Sequence, residues 1–142
     1  MAASVPDDLR ARIHVADRDM CCYCRTSAAN SGIPLSFDHI VPRSAAGVTS
    51  FDNVCLCCRP CNEFKSDLLE VVDPLTAERV ALFHPRRQSW SDHFSWSADA
   101  SRIEGLTATG RATIVALRLN RPLIVAARRR WFVVGWHPPS ED

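Results

Sequence analysis

The chain is 142 residues long, 46% apolar and 23% charged, with a formal net charge of +1. Those values suit one compact domain, or a small module with an extension, and argue against disorder. Residues 117–136 are broken by five arginines and a proline, which excludes a bilayer span, and residues 1–8 hold two acids and no apolar run, which excludes a secretory signal, so a soluble, cytoplasmic protein is expected.

In chain order, Pro6-Asp7-Asp8 reads as a helix start, with a proline in the first turn and acids against the positive end of the dipole. Leu9, Ile13 and Ala16 continue at helical spacing, so a helix is predicted over 6–19. Residues 25–35 are rich in Ser, Asn, Gly and Pro and read as a loop. A strand over 35–41, a turn at Ala45-Ala46-Gly47, a short strand over 54–56 and a helix over 60–69 follow. Past Asp73-Pro74 come a strand over 80–83 and an aromatic-rich stretch over 90–96. Thr109-Gly110 is read as the cap of a helix over 111–119, and Asn120-Arg121-Pro122 as the cap of a last helix reaching about 134. The division predicted is a core over 1–70 and an extension over 71–142 that packs on it and carries basic helices.

Charge follows that division. Residues 1–70 hold seven basic and nine acidic side chains, while residues 71–142 hold ten and seven. Six arginines and no acid lie between Thr109 and Pro139, a stretch suited to phosphates or merely to water. On the last helix Ile124, Ala127, Trp131 and Val134 share a face and should pack, leaving Arg121, Arg128 and Arg129 for a nucleic-acid backbone.

All seven cysteines, at 21, 22, 24, 55, 57, 58 and 61, lie in the first half. In a reducing compartment such clusters are read as metal ligands before disulfides. Cys21-Cys22-Tyr23-Cys24 and Cys58-Arg59-Pro60-Cys61 are two C-x2-C pairs, and two such turns complete a closed tetrahedral zinc site. Cys55 and Cys58 have the same spacing, but Cys61 opens the predicted helix, so Cys21, Cys24, Cys58 and Cys61 are taken as the ligands. Four protein ligands leave no open position, so this zinc would be structural.

Between and just beyond the pairs lie Phe37-Asp38-His39-Ile40-Val41-Pro42-Arg43, Asp52-Asn53-Val54 and Cys61-Asn62-Glu63-Phe64-Lys65. Phosphodiester hydrolysis needs a base for water and a cation for the charged phosphate, tasks suited to an imidazole and an oxygen-ligated divalent ion. These segments resemble the HNH endonucleases of the ββα-metal (His-Me finger) fold, in the form where zinc-binding cysteine pairs bracket the site. The D-H-I-V-P run, the central asparagine and the C-x2-C-N-x2-K ending carry the resemblance. One departure is Asn62, which stands where the third signature histidine is usual, as in the HNH domains of RNA-guided DNA nucleases.

The resemblance implies an α+β fold: a zinc-stapled ββα core with a C-terminal extension of short strands and two helices. It implies Asp38 and Asn62 as ligands of a catalytic ion, His39 as general base, and Asn53 as the brace of the loop that orients His39. Oxygen ligands favour Mg2+ or Mn2+ for that ion. Lys65, about one turn beyond Asn62, is placed to touch the phosphate backbone or to lie solvated. The expected partner is DNA, with RNA as the alternative, and cutting both strands would call for a homodimer or two nicks. The competing readings are a zinc-stabilised nucleic-acid-binding module without catalysis, and a zinc-stabilised interaction protein. Phe83-His84-Pro85-Arg86, Trp90, His93-Phe94 and Leu119-Asn120-Arg121-Pro122 also resemble the extension of a bacterial group of stand-alone HNH proteins. His84 and His93 lack metal-ligand spacing and are expected to be structural.

Overall fold

The computed structural model describes residues 4–140. Contacts divide the chain into two compact units: one runs up to Leu69 and takes back His84–Gln88, the other comprises Glu70–Phe83 and the residues from Ser89 onward.

The first unit opens with α1 (Asp7–Asp17), which starts after Pro6 and carries Asp7 and Asp8 in its first turn. It ends sooner than predicted because Arg18 and Asp19 adopt left-handed φ angles of 54° and 53°. Ile13 is buried with Val5, Val54 and Leu56, and Leu9, Leu35, Phe37 and Phe51 pack around them. Burying a side chain such as Ile13 contributes about 1.5–3 kcal/mol. Within the segment read as a loop, α2 (Ala28–Ser31) forms one turn, because Ser27 accepts a hydrogen bond from the Asn30 amide at 3.0 Å.

Strands β1 (Ser36–His39) and β2 (Val54–Cys57) then pair antiparallel, with Asp38 opposite Cys55 and His39 opposite Val54. Helix α3 (Arg59–Lys65) follows with Pro60 in its first turn, so the order is strand, strand, helix. It stops at Lys65, short of the predicted 69, because Ser66 turns to φ 48° and ψ −122°. The connection from β1 to β2 is tight at Gly47, where a Cβ would collide with the Val41 carbonyl oxygen.

The second unit is built from hairpins and helices. Strands β3 (Glu70–Val72) and β4 (Arg79–Ala81) form one pair, and β5 (Phe94–Trp96) and β6 (Ile103–Gly105) form another. One-turn helix α4 (Trp90–His93) leads into β5. Phe94 makes an edge contact with Phe83 at 5.2 Å and a tilted one with Trp90 at 5.1 Å, so Trp90 and Phe94 of the aromatic stretch are core, while Trp96 is half-buried. His93 bonds the Thr107 hydroxyl at 2.7 Å, a structural role.

Helix α5 (Ala108–Ala116) starts three residues before the predicted start, because its cap is Thr107, whose hydroxyl accepts from the Gly110 amide at 3.0 Å. Asn120 does not cap α6 (Pro122–Val133): its amide accepts from Ile103 N at 2.8 Å and donates to Ile103 O at 2.9 Å, satisfying both groups of a strand residue. The buried face of α6 is Ile124, Val125 and Arg128, whereas Val134 is 57% exposed.

Arg128 therefore corrects the sequence expectation. It is fully buried, with Nη1 donating to Ser101 O at 3.1 Å and Nη2 to Leu119 O at 2.8 Å, under the Trp96 ring at 5.4 Å. A guanidinium can satisfy several carbonyls from one position, and the helical spacing of apolar residues could not foretell that an arginine would fill that place.

Asp73 organises the β3–β4 connection. It accepts from the Leu75 amide and the Thr76 hydroxyl, and takes a fork from Arg111 at 3.0 and 2.9 Å. The Arg111 guanidinium, with these donors, holds its carboxyl below the usual carboxylate range. A depressed folded-state value contributes stability that is present above the unfolded value near ~4 and is lost as pH falls through the folded value. Asp73→Asn should lower the melting temperature by several degrees at pH 7, with the gap to wild type narrowing as both are melted below pH ~4. A gap that does not change with pH would show that the charge is not what matters.

Candidate active site and metal centre

Cys21 and Cys24 sit on the turn after α1, where Cys21 N donates to Thr26 O at 2.9 Å and Arg25 N returns to Cys21 O at 3.0 Å. Cys58 is the residue before α3 and Cys61 lies in its first turn. All four are buried, and their sulfur atoms lie within 4.8 Å of one another, Cys24 and Cys58 at 3.5 Å. Zinc–sulfur bonds of ~2.3 Å imply tetrahedral edges of about 3.8 Å, so the cluster could hold a zinc ion after small adjustments. Hydrogen bonds with Cys21 push the Cys58 and Cys61 thiols up, since four such sulfurs cannot all ionise unaided. A dication removes that obstacle. The geometry selects Cys58 over Cys55 for the second pair: Cys55 lies on β2, and hydrogen bonding with Cys22 and burial keep it a neutral thiol. No other group of three potential ligands is present among the described residues.

Asp38 and His39 end β1, and the chain bends at Ile40 and Val41. Alternation along the strand separates them. Asp38 is 5% exposed and meets Lys65, whose Nζ lies 3.2 Å from Oδ2 and 3.4 Å from Oδ1. The Tyr23 hydroxyl donates to Oδ2 at 3.3 Å, and Lys65 also donates to the His39 carbonyl at 3.1 Å. Burial pushes the Asp38 carboxyl up, and the Lys65 charge opposes that shift. Tyr23 belongs to the first cysteine turn, so a hydrogen bond joins that turn to the Asp38 carboxylate.

His39 turns instead to Thr49, Nε2 to Oγ1 at 2.8 Å. Burial, with Arg43 and Lys65 nearby, holds the ring below the ordinary imidazole value. Asn53 spans the connecting loop: it accepts from Val41 N at 2.8 Å and donates to Val41 O at 3.0 Å and Val48 O at 2.8 Å. Its contact with His39 is indirect, through the loop that carries Thr49. Asn62 is half-buried on α3, three residues before Lys65 and so on the same helix face.

Lys65 is the second correction. It is fully buried against Asp38, so it neither touches the phosphate backbone nor lies solvated. Thr49 and Tyr23, absent from the sequence expectations, sit in a turn and inside a cysteine pair, where nothing in the pattern marks them. Asp17 is a third such residue: it accepts from Leu56 N at 2.9 Å and from both terminal nitrogens of Arg86, at 2.6 and 3.1 Å.

An α+β arrangement in which a two-stranded hairpin and one helix are stapled by four cysteines, with Asp-His ending the first strand, defines a zinc-bracketed ββα core. The family model described as HNH endonuclease matches residues 21–71, which take in both cysteine pairs, the hairpin and α3. That stretch, 51 of the 142 residues, is similar to HNH endonuclease domains, which supports a nuclease-type function on nucleic acid in general. No curated protein and no solved structure matches the chain.

Proposed function

We propose that the protein is a metal-dependent endonuclease that hydrolyses phosphodiester bonds of DNA, with His39 as general base. The observation that carries this reading is the meeting of β1 and α3: Asp38 and His39 end the strand, and Lys65, three residues after Asn62 on α3, reaches Asp38 and the His39 carbonyl. With Nε2–H donating to Thr49, His39 Nδ1 is left to take a proton from water. Asp38 and Asn62 offer oxygen ligands, which suit Mg2+ or Mn2+. Such an ion, when bound, would stabilise charge on the phosphate and on the leaving oxygen. Until then the Lys65 charge opposes the upward push that burial gives the Asp38 carboxyl.

On the surface, Arg129 pairs loosely with Asp99 at 3.8 Å, and an exposed pair worth less than ~1 kcal/mol can be exchanged for phosphate. Arg129 and Arg121 remain the arginines of that helix region proposed to meet DNA, and double-strand cutting would need a homodimer or two nicks. Seven cysteines without a disulfide favour a reducing cytoplasm as the place of action. One observation favours a nucleic-acid-binding module without catalysis: the Asp38 carboxylate is already engaged by Lys65 and Tyr23.

Supercoiled plasmid separates the two readings. Wild type should nick it with Mg2+ or Mn2+ and stop with chelator. His39→Ala should lose at least ~100-fold in rate with zinc content and melting temperature unchanged. Equal rates in the two proteins would overturn His39 as base, and a wild type that binds plasmid but never nicks it would favour the binding module.

A further inference from the structure

His84–Gln88 lies outside the matched stretch but belongs to the same compact unit as the hairpin. Arg86 rivets it there. Besides Asp17, this guanidinium donates to Phe51 O at 2.9 Å and Val54 O at 2.8 Å, and it stacks on the Phe51 ring at 4.2 Å. Val54 is the register partner of His39, so the turn is anchored at the strand end where His39 sits.

Inside the turn the His84 ring has a defined tautomer. Its Nδ1 accepts from the backbone amides of Arg86 at 3.3 Å and Arg87 at 3.2 Å, while its own amide donates to Gln88 Oε1 at 2.9 Å. A ring nitrogen that accepts amide protons is unprotonated, so in the neutral ring the proton is on Nε2. Burial, with the Arg87 and Arg86 charges nearby, holds the ring below its ordinary value, which favours the neutral form. Arg87, next in the turn, is exposed. A neutral N–H donor beside an exposed guanidinium is chemistry for a phosphate oxygen.

We propose that His84 contacts substrate at the candidate site, its Nε2–H donating to a non-bridging phosphate oxygen of the nucleic-acid strand, with Arg87 pairing with the same backbone. The proposal rests on the nuclease reading. It adds a substrate contact to the structural role expected of His84, whose Nδ1 is held by the turn amides.

His84→Asn tests it, because asparagine Oδ1 can accept from the Arg86 and Arg87 amides but cannot place a donor where Nε2 lies. With wild type nicking plasmid, His84→Asn should reduce kcat/KM about 10- to 100-fold, with zinc content and melting temperature kept. In a His39→Ala background the same change should weaken binding of a short uncut duplex several-fold. Nicking and duplex binding both equal to their parents would overturn the contact. If wild type does not nick at all, the nuclease reading fails on its own, and the duplex arm still decides whether His84 meets phosphate. Should His84→Asn not fold, imidazole 15N spectra of wild type decide: the His84 Nε2 resonance should shift on adding duplex, and an unmoved resonance would overturn the proposal.

Discussion

Cys58→Ser is expected to cost the protein both its zinc and its fold. Serine is a favourable residue at the position before a helix, so at the start of α3 the change should not harm the helix itself. What it removes is one of four sulfurs that lie within 4.8 Å of one another. Structural zinc in small modules contributes about 10–16 kcal/mol of binding free energy, against a usual domain stability of about 5–15 kcal/mol. The staple also closes the long loop between Cys24 and Cys58, which for a covalent cross-link of that size is worth about 4 kcal/mol. The cluster of Val5, Ile13, Val54 and Leu56 is too small to replace such a term. Elemental analysis should find one zinc per wild-type chain and none in the variant, and circular dichroism should show the variant unfolded. A Cys58→Ser protein that melts within a few degrees of wild type would remove the structural role from the cluster.

Lys65→Met should be the most damaging change outside the cysteines. Methionine keeps much of the apolar stem but leaves the Asp38 carboxylate buried without its counter-charge. Breaking a buried ion pair from one side costs about 3–5 kcal/mol, because the remaining charge is not compensated. Urea unfolding should show that loss. The double variant Lys65→Met/Asp38→Asn should recover much of it, since the second change removes the stranded charge. Mn2+ should raise the melting temperature of Lys65→Met more than that of wild type if a cation takes the place beside Asp38. A Lys65→Met protein as stable as wild type would mean that the pair contributes nothing.

The local chemistry of the core was legible. Two C-x2-C pairs impose a tetrahedral arrangement whatever lies between them, and the proline and acids at the head of α1 act within one turn. The Asp-His run at a strand end and the asparagine on α3 were likewise recognisable from their order along the chain. Cap assignments were less secure. Thr107, Thr109 and Asn120 are each chemically able to cap a helix, and only the surrounding backbone decides which does so. Thus Thr107 caps α5, while Asn120 spends its amide on Ile103.

The charged side chains show where sequence reasoning stops. Local pattern leaves Lys65 for phosphate or for water and Arg128 for phosphate, because a basic residue on a helix is usually solvated. In the fold Lys65 meets a buried aspartate 27 positions away, and Arg128 meets the Ser101 carbonyl 27 positions away. Asp17 and Arg86 pair across 69 positions.

The four-cysteine cluster and the strand, strand, helix order follow from the sequence itself, because spacing over a few residues dictates turns and which side chains can converge. Tertiary structure alone decided which charges are buried, which hydroxyl holds His39, and that the distant turn at His84 belongs beside the hairpin. Those outcomes depend on the desolvation of each charge and on partners far away in the chain, neither of which is written in local pattern.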